Sequence, residues 1–354
     1  MPVRHDAALL EVARFPSACA RQGEPTPTLQ LLAALASGES VSSASLAARM
    51  GVSPVVVGKQ IEALRARGVP VRACGGAGYR LPWPLQLLDD GQIRAALLAS
   101  CVQSLGHLEV HGELDSTSSE LQRRLATAAD LSVVLAESQS AGRGRRGRHW
   151  LSPPGLNIYL SCLKRFESGF VALSGLSLAV GVIVLRALDA LGIPGAGLKW
   201  PNDVLAAGSD GLRGKLAGIL VELSGEYQGP CSAIVGVGVN LRLTPALRHQ
   251  AGQPTCDLAS LSTGVAPDRN RVAASLVAAL VHGLNQFASQ GFAAFVDDYG
   301  RHDLLHGEPL QVSGALGQFE GVGAGIDARG ALKVRLTDGS LRHIDSADVT
   351  VRRT

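Results

Sequence analysis

The twelve residues from Gln139 to Trp150 read Gln-Ser-Ala-Gly-Arg-Gly-Arg-Arg-Gly-Arg-His-Trp, and they carry more potential chemistry than any comparable stretch of the chain. Arg143, Arg145, Arg146 and Arg148 alternate with Gly142, Gly144 and Gly147, so guanidinium forks sit beside backbone that can approach a ligand closely. Carboxylates and phosphates are the groups such a segment captures. A solvated arginine-glycine tail that binds nucleic acid is the other reading of this composition. The stretch, however, lies between two strand-like runs and ends in Trp150 and Ser-Pro-Pro-Gly, which places it inside a folded domain.

Three more segments offer polar groups: Asp115-Ser116-Thr117-Ser118, Lys199-Trp200-Pro201-Asn202-Asp203, and Gly214-Lys215 ahead of the run Leu216–Glu222. Each also has a purely structural reading. Ser116–Ser118 would cap a helix beginning near Ser119. Asn202 and Asp203 after Pro201 would make an ordinary turn, and Lys215 would be a solvated strand end.

The elements that must position these segments follow from periodicity. Residues 90–302 alternate strand-like runs (SVVLAE, NIYLSCL, GLKW, KLAGILVEL, CSAIVGVGVNL) with helical stretches at Leu173–Leu191 and Arg271–Gln290, the signature of a mixed α/β domain in an α+β chain. Residues 305–354 are glycine-rich and strand-like, with turns at Asp327–Gly330 and Asp338–Gly339, and read as a small β-barrel. Residues 28–85 hold three short helical runs closed by Gly38, Gly51 and Gly68, then VPVRAC-GGAG-YRL, a hairpin wing. Ser53 caps the third run, Pro54 opens it, and Val57, Ile61 and Leu64 face inward. A winged helix-turn-helix places such a helix in the major groove, with Ser53, Lys59, Gln60 and Arg67 as its candidate DNA contacts. A three-helix interaction module with a basic surface is the alternative. PWPLQLLD at 82–89 reads as a linker, and residues 1–27 as an N-terminal extension without a usable motif.

Composition sets bounds on these readings. The 354 residues, 46% of them hydrophobic, suffice for two or three domains with a large core. Net charge is only +3, but residues 40–80 hold six Lys/Arg against the single acid Glu62, the local excess expected where nucleic acid binds. Six scattered cysteines with no C-x-x-C pair argue against a zinc site or a disulfide framework. The run Leu176–Leu191 is broken by Arg186 and Asp189, so no membrane span is expected, and with no signal-peptide pattern the expected compartment is the cytoplasm.

The arginine-glycine segment, KWPND, the DST triplet and GKLAGILVE together closely resemble the catalytic domain of biotin protein ligases, and the winged helix-turn-helix followed by GYRLPWPLQLLD resembles the bifunctional ligase/repressor form of that family. The resemblance covers nearly all of the chain after residue 27. It implies a winged helix-turn-helix, a class II synthetase-like catalytic domain and a C-terminal SH3-like β domain. It further implies activation of biotin by ATP and transfer to a lysine of the biotin carboxyl carrier protein of acetyl-CoA carboxylase. Ser116, Thr117, Ser118 and Gln139 would hold the ureido ring, with Gly142 and Gly144 shaping the biotin side. Arg143, Arg145 and Lys215 would be the catalytic cations. Arg146, Arg148, Trp150, Asn202, Asp203 and Asn240 would line the nucleotide side, and Asp203 would help hold Mg²⁺. ATP and Mg²⁺ are the implied co-substrate and ion, with no permanently bound cofactor. Biotin, as its 5′-adenylate, would also be the corepressor, favouring a homodimer that binds operator DNA.

Two features depart from the family pattern. The front of the third helix offers Pro54, Val55, Val56 and Gly58 where base contacts usually arise, and residues 244–256 hold no aromatic to stack on adenine. A ligase with a vestigial DNA domain, a transcription factor that only senses a small acid, and a lipoate or octanoate transferase are the competing functions.

Overall fold

The computed structural model describes residues 26–208, 211–262, 264–314, 317–345 and 350–353; the extension assigned to residues 1–27 lies almost wholly outside them. Local signals in residues 27–80 act as expected. Helices α1 (Pro27–Leu35), α2 (Ser43–Met50) and α3 (Pro54–Ala66) each begin at a hydroxyl cap, Thr26, Ser42 and Ser53, and α2 ends on Gly51 in the left-handed conformation. Val57, Ile61 and Leu64 are buried with Leu31, Leu32, Leu35 and Leu46 in one small core. The wing is brief: β1 (Arg72–Ala73) pairs antiparallel with β2 (Tyr79–Arg80).

Two short helices, α4 (Asp90–Ala95) and α5 (Ala99–Ser104), lead into the central domain. In chain order its elements are β3 (His107–Leu114), α6 (Thr117–Arg123), β4 (Ser132–Gln139), β5 (Ile158–Phe166), α7 (Leu176–Ala190), β6 (Ala196–Lys199), β7 (Asp203–Ala207), β8 (Arg213–Gly225), β9 (Cys231–Val239), α8 (Pro245–Gln250), α9 (Leu258–Leu261), α10 (Arg269–Gln290) and α11 (Val296–His302). The seven strands form one mixed sheet in the order β3-β4-β5-β9-β8-β7-β6, parallel only between β3 and β4. One face carries Val133, Leu135, Cys162, Val235, Val237, Val239, Ala217 and Ile219, all packed under α7 and α10 in the main core. On the opposite face the apolar side of α6 packs on Val134, Leu163 and Ile234. The remainder of that face is open, and the site occupies it. Helix α10 is long and apolar enough to cross a bilayer, but it is a core helix packed along α7.

The C-terminal strands β10 (Pro309–Gly314), β11 (Gly317–Ile326), β12 (Leu332–Arg335), β13 (Leu341–Ile344) and β14 (Thr350–Arg353) make a five-stranded antiparallel sheet ordered β13-β12-β11-β10-β14. It meets the central domain where the Trp200 indole N–H donates to the Gly330 carbonyl at 3.0 Å.

Sequence patterns miss β3 and β7. The first is an edge strand whose charged residues blur any alternation, and the second is only five residues long. The 82–89 segment is also not a free linker. Leu88 is buried and its N–H donates to Glu137, Arg269 donates to the Gln86 carbonyl at 3.1 Å, and the Asp89 N–H donates to Asn270 at 2.9 Å. The Arg269–Glu137 pair beneath it, at 2.5 Å, is almost wholly buried. Arg67, expected on the DNA face, is instead paired with Glu113 of β3 at 2.9 Å, so its charge ties the helix-turn-helix to the central domain.

Helix α6 is fixed at its far end by Arg124, which donates twice to Glu109 of β3 at 2.7 and 2.8 Å. The Arg124 hydrogen bonds, with help from His111, hold the Glu109 carboxyl down at about 2. A carboxyl depressed in the folded state stabilises fully above its unfolded value, about 4.3, and loses that contribution as pH falls through its folded value. The thermal midpoint of Glu109→Gln, followed from pH 6 to pH 2.5, is therefore expected to lie below wild type at pH 6 and to converge on it in acid.

Candidate active site

The open half of the sheet is bare because the strands are. On β8 and β9 the residues facing away from α7 and α10 include Gly218, Gly236 and Gly238, with Gly218 and Gly238 directly paired across the ladder. A Cβ at Gly238 would lie 2.5 Å from the Trp150 indole, and one at Gly218 would lie 2.8 Å from it. The two glycines are thus a shelf on which the indole rests. Its ring N–H is enclosed and has no hydrogen-bond partner among the described residues. The result is a cavity of about 740 Å³, within the range of small-molecule sites.

At one end of the cavity the start of α6 turns its hydroxyls toward the sheet. Thr117 and Ser118 both contact the buried Ser161 hydroxyl of β5, at 2.7 and 2.9 Å. Ser116 occupies the cap position without a side-chain capping bond, and the helix starts at Thr117. Capping therefore does not account for these hydroxyls. Gln139, the last residue of β4, accepts from the Thr117 N–H at 2.9 Å through Oε1 and donates through Nε2 to Ser152 at 3.0 Å.

At the other end Lys215 lies beside Asp203, Nζ to Oδ1 2.7 Å, and 5.3 Å from the centre of the Trp150 ring. It is no solvated strand end. Its backbone is clamped by the 254–256 segment, its N–H donating to the Pro254 carbonyl at 2.9 Å and its carbonyl accepting from the Cys256 N–H at 3.0 Å. Asn202 does lie in a turn, and its side chain still donates to the Ile219 carbonyl at 2.8 Å and accepts from Arg145 at 3.5 Å.

Between the two ends runs the arginine-glycine loop, folded as a tight hairpin with Gly144 N–H donating to the Arg148 carbonyl at 2.7 Å and Arg146 in the left-handed region at φ 59°. Gly142 is needed for closure, because a Cβ there would lie 2.5 Å from the Trp150 carbonyl. Arg143 is held by Glu222 of β8 at 2.8 Å. Burial, aided by neighbouring Arg146, pushes the Arg145 guanidinium down from its ordinary value.

Of the residues singled out from sequence, Ser116, Thr117, Ser118, Gln139, Arg143, Gly144, Arg145, Arg146, Arg148, Trp150, Asn202, Asp203 and Lys215 line this one cavity. Gly142 stands behind it. Asn240 does not line it: its amide donates to the Lys215 and Cys256 carbonyls at 3.0 and 3.3 Å, a bracing role. In the helix-turn-helix, Lys59 is exposed, Ser53 is occupied as a cap, and the Gln60 carbonyl oxygen is enclosed. Sequence reasoning gave Glu222 no role of its own and passed over Ser152, Ser161 and the glycine shelf. The alternation Gly236-Val237-Gly238-Val239 was a legible signal that one strand face is bare.

Residues 112–240 match the Biotin/lipoate A/B protein ligase family, residues 28–80 an HTH domain, and residues 308–352 the Biotin protein ligase C terminal domain. Over 329 residues, 93% of this chain and 98% of the relative, the chain is 34% identical to the bifunctional ligase/repressor BirA of Salmonella typhimurium. Identity to the protein of the same name from Escherichia coli is 35% over 327 residues, 92% and 98% of the two chains. Among solved structures, the biotin protein ligase from Aquifex aeolicus in complex with biotin and ATP is similar over 70% of this chain and 99% of that one, with 28% identity and a TM-score of 0.60.

The shelf is directly testable. Gly238→Ala is expected to displace the Trp150 indole, shifting intrinsic emission toward that of a solvated indole, and the shift should vanish in a Trp150→Phe background. An emission spectrum unchanged by the substitution would contradict the packing described.

Proposed function

The chain belongs to the biotin protein ligase family, in the form that carries an N-terminal helix-turn-helix domain, and we propose how its own residues divide the work of that enzyme. It is an ATP-dependent ligase that activates biotin and transfers it to a carrier protein. The observation that carries the assignment of roles is the convergence of Lys215 and the arginine loop on one cavity whose far end is lined by neutral hydroxyls.

A neutral ureido ring needs donors and acceptors without charge, which Ser116, Thr117, Ser118 and Gln139 offer. The carboxylate at the other end of biotin then reaches the cations. Its oxygen attacks the α-phosphorus of ATP, an acyl–phosphate bond forms, the α–β anhydride bond breaks, and pyrophosphate leaves. Arg143 and Arg145 orient the carboxylate and phosphates, Arg146 and Arg148 extend the positive loop, and Lys215 donates to the carboxyl and bridging oxygens as charge develops. Arg145 keeps its proton at neutral pH despite its burial. Trp150, resting on the glycine shelf, supplies an apolar wall to the adenylate. A neutral lysine amine of the carrier then attacks the acyl carbon and AMP leaves, so no covalent enzyme intermediate is needed.

Mg²⁺ fits the donor set. Asp203 is the one carboxylate among the described lining residues, and Mg²⁺ commonly uses one or two carboxylates with substrate phosphates. It would neutralise phosphate charge, and Lys215 would hold Asp203 in place. For the acceptor we infer the carboxyl carrier subunit of acetyl-CoA carboxylase, and for the adenylate-bound state a homodimer.

The wing favours DNA as the second partner. Arg72 and Arg80 are exposed and directly opposed in the β1–β2 register, and like charges so placed repel unless a polyanion lies between them. The exposed Val55 and Val56 and the engaged Arg67 favour a reading in which phosphate contacts outweigh base contacts. Ligand and DNA domain are also joined: α8 seats Leu247 against Gly68 while residues 251–254 beyond it line the cavity.

Exchange of labelled pyrophosphate into ATP tests the ligase assignment. Exchange is expected to require biotin, to ignore lipoate, and to fall at least about 100-fold in both Arg143→Ala and Lys215→Ala. Exchange independent of biotin, or unaffected by both substitutions, would sink it.

A further inference from the structure

We propose that Ser161 is a positioning and specificity-determining residue, setting which hydroxyl donates and which accepts at the biotin end of the cavity; this rests on the ligase reading above. Ser161 sits in the middle of β5 with no solvent exposure, in an otherwise apolar run. Its strand is paired on both sides, to Val134 of β4 and Gly236 of β9, so the neighbouring backbone groups are engaged in the sheet. The partners that remain for its hydroxyl are Thr117 Oγ1 at 2.7 Å and Ser118 Oγ at 2.9 Å. All three hydroxyls are buried, and all three line the cavity.

Three hydroxyls in a row hold three protons and make two contacts among themselves. One proton is left over, and the direction of the row decides where it goes. If the row runs from Ser118 to Ser161 to Thr117, the surplus proton must go to Gln139 Oε1, which is 3.3 Å from Thr117 Oγ1 and already accepts from the Thr117 N–H at 2.9 Å. If it runs from Thr117 to Ser161 to Ser118, the short 2.7 Å contact holds the Thr117 proton and Ser118 keeps a free O–H. Both orders keep the two short contacts, and the second gives up only the 3.3 Å contact to Gln139, the weakest of the three, while freeing an O–H for a ligand acceptor. It presents Ser118 as a donor and Thr117 as an acceptor. A cyclic urea carries a carbonyl that accepts and N–H groups that donate, so it satisfies both at once. An acyl chain ending in a saturated or disulfide ring offers neither, and leaves both hydroxyls buried without partners. Gly236 is part of the same device, because a Cβ there would lie 2.9 Å from Ser118 Oγ.

Steady-state pyrophosphate exchange on the full chain separates this role from simple packing. Ser161→Ala is expected to raise KM for biotin about 10- to 100-fold, with kcat and KM for ATP within about threefold and with the preference for biotin over lipoate reduced. Gly236→Ala, whose Cβ would crowd Ser118 Oγ at 2.9 Å while meeting Ser161 Oγ only at an ordinary 3.6 Å, should give the same biotin-selective rise, and it decides the matter if Ser161→Ala fails to fold. An unchanged KM for biotin, or KM values for biotin and ATP that rise together, overturns the proposal while biotin-dependent exchange by wild type leaves the ligase reading standing. Wild-type exchange that ignores biotin overturns both.

Discussion

The site depends on three side chains that are missing. Gly218, Gly236 and Gly238 lie on the same face of β8 and β9, while the alternate residues Ala217, Ile219, Val235, Val237 and Val239 fill the core on the other face. In a strand the two faces are locked together, so a slip of one residue would put the valines in the cavity and the glycines in the core. Each buried valine is worth about 1.5–3 kcal/mol relative to exposure, so the apolar face fixes the register. That register puts the Trp150 shelf, the room for Ser118 and the reach of Lys215 in one place. An arginine-rich loop needs such a scaffold, because its own backbone bonds only close the hairpin.

A second constraint joins the domains. The buried Arg269–Glu137 pair draws the 86–88 segment onto the central sheet, and Arg269 also donates to the Asn157 carbonyl while the Asn157 side chain accepts from the Leu241 N–H. Leu241 begins the stretch that continues through Arg242, stacked 4.4 Å from the Trp83 ring, to Thr244 and α8, and ends at the Pro254–Cys256 segment that brackets Lys215. One continuous segment therefore touches both the chain below the winged helix and Lys215. If ligand shifts it, the helix-turn-helix shifts with it, and by linkage DNA acts back on ligand affinity with the same coupling free energy.

Much of this organisation is legible in the residues alone. The caps of α2 and α3, the glycine stops and the apolar runs of β4, β5, β8 and β9 are local signals, and they fold as local signals should. The arginine-glycine loop, DST, KWPND and Lys215 could be chosen because their residue types have few structural uses in combination. What stayed hidden depends on distant partners. Arg67 looked like a free surface charge until β3 supplied Glu113, a strand the sequence did not reveal. Asn240 looked like a ligand contact because it follows a motif strand, whereas its partners are two carbonyls from the chain around Lys215 and Cys256. Ser161 was concealed inside an apolar run, where one hydroxyl does not disturb the strand pattern.

In the proposed mechanism one bare-faced sheet gathers an anion loop, a lysine and a neutral hydroxyl cluster to make a mixed anhydride that stays noncovalently bound until a carrier amine arrives. Mass spectrometry of the chain after incubation with biotin, ATP and Mg²⁺ but no carrier tests this most directly. Biotinyl-5′-adenylate recovered at close to one per chain on denaturation, from protein of unchanged mass, is the expected result. ATP consumed without any adenylate, or a chain bearing a stoichiometric covalent biotinyl or adenylyl group, would contradict the account.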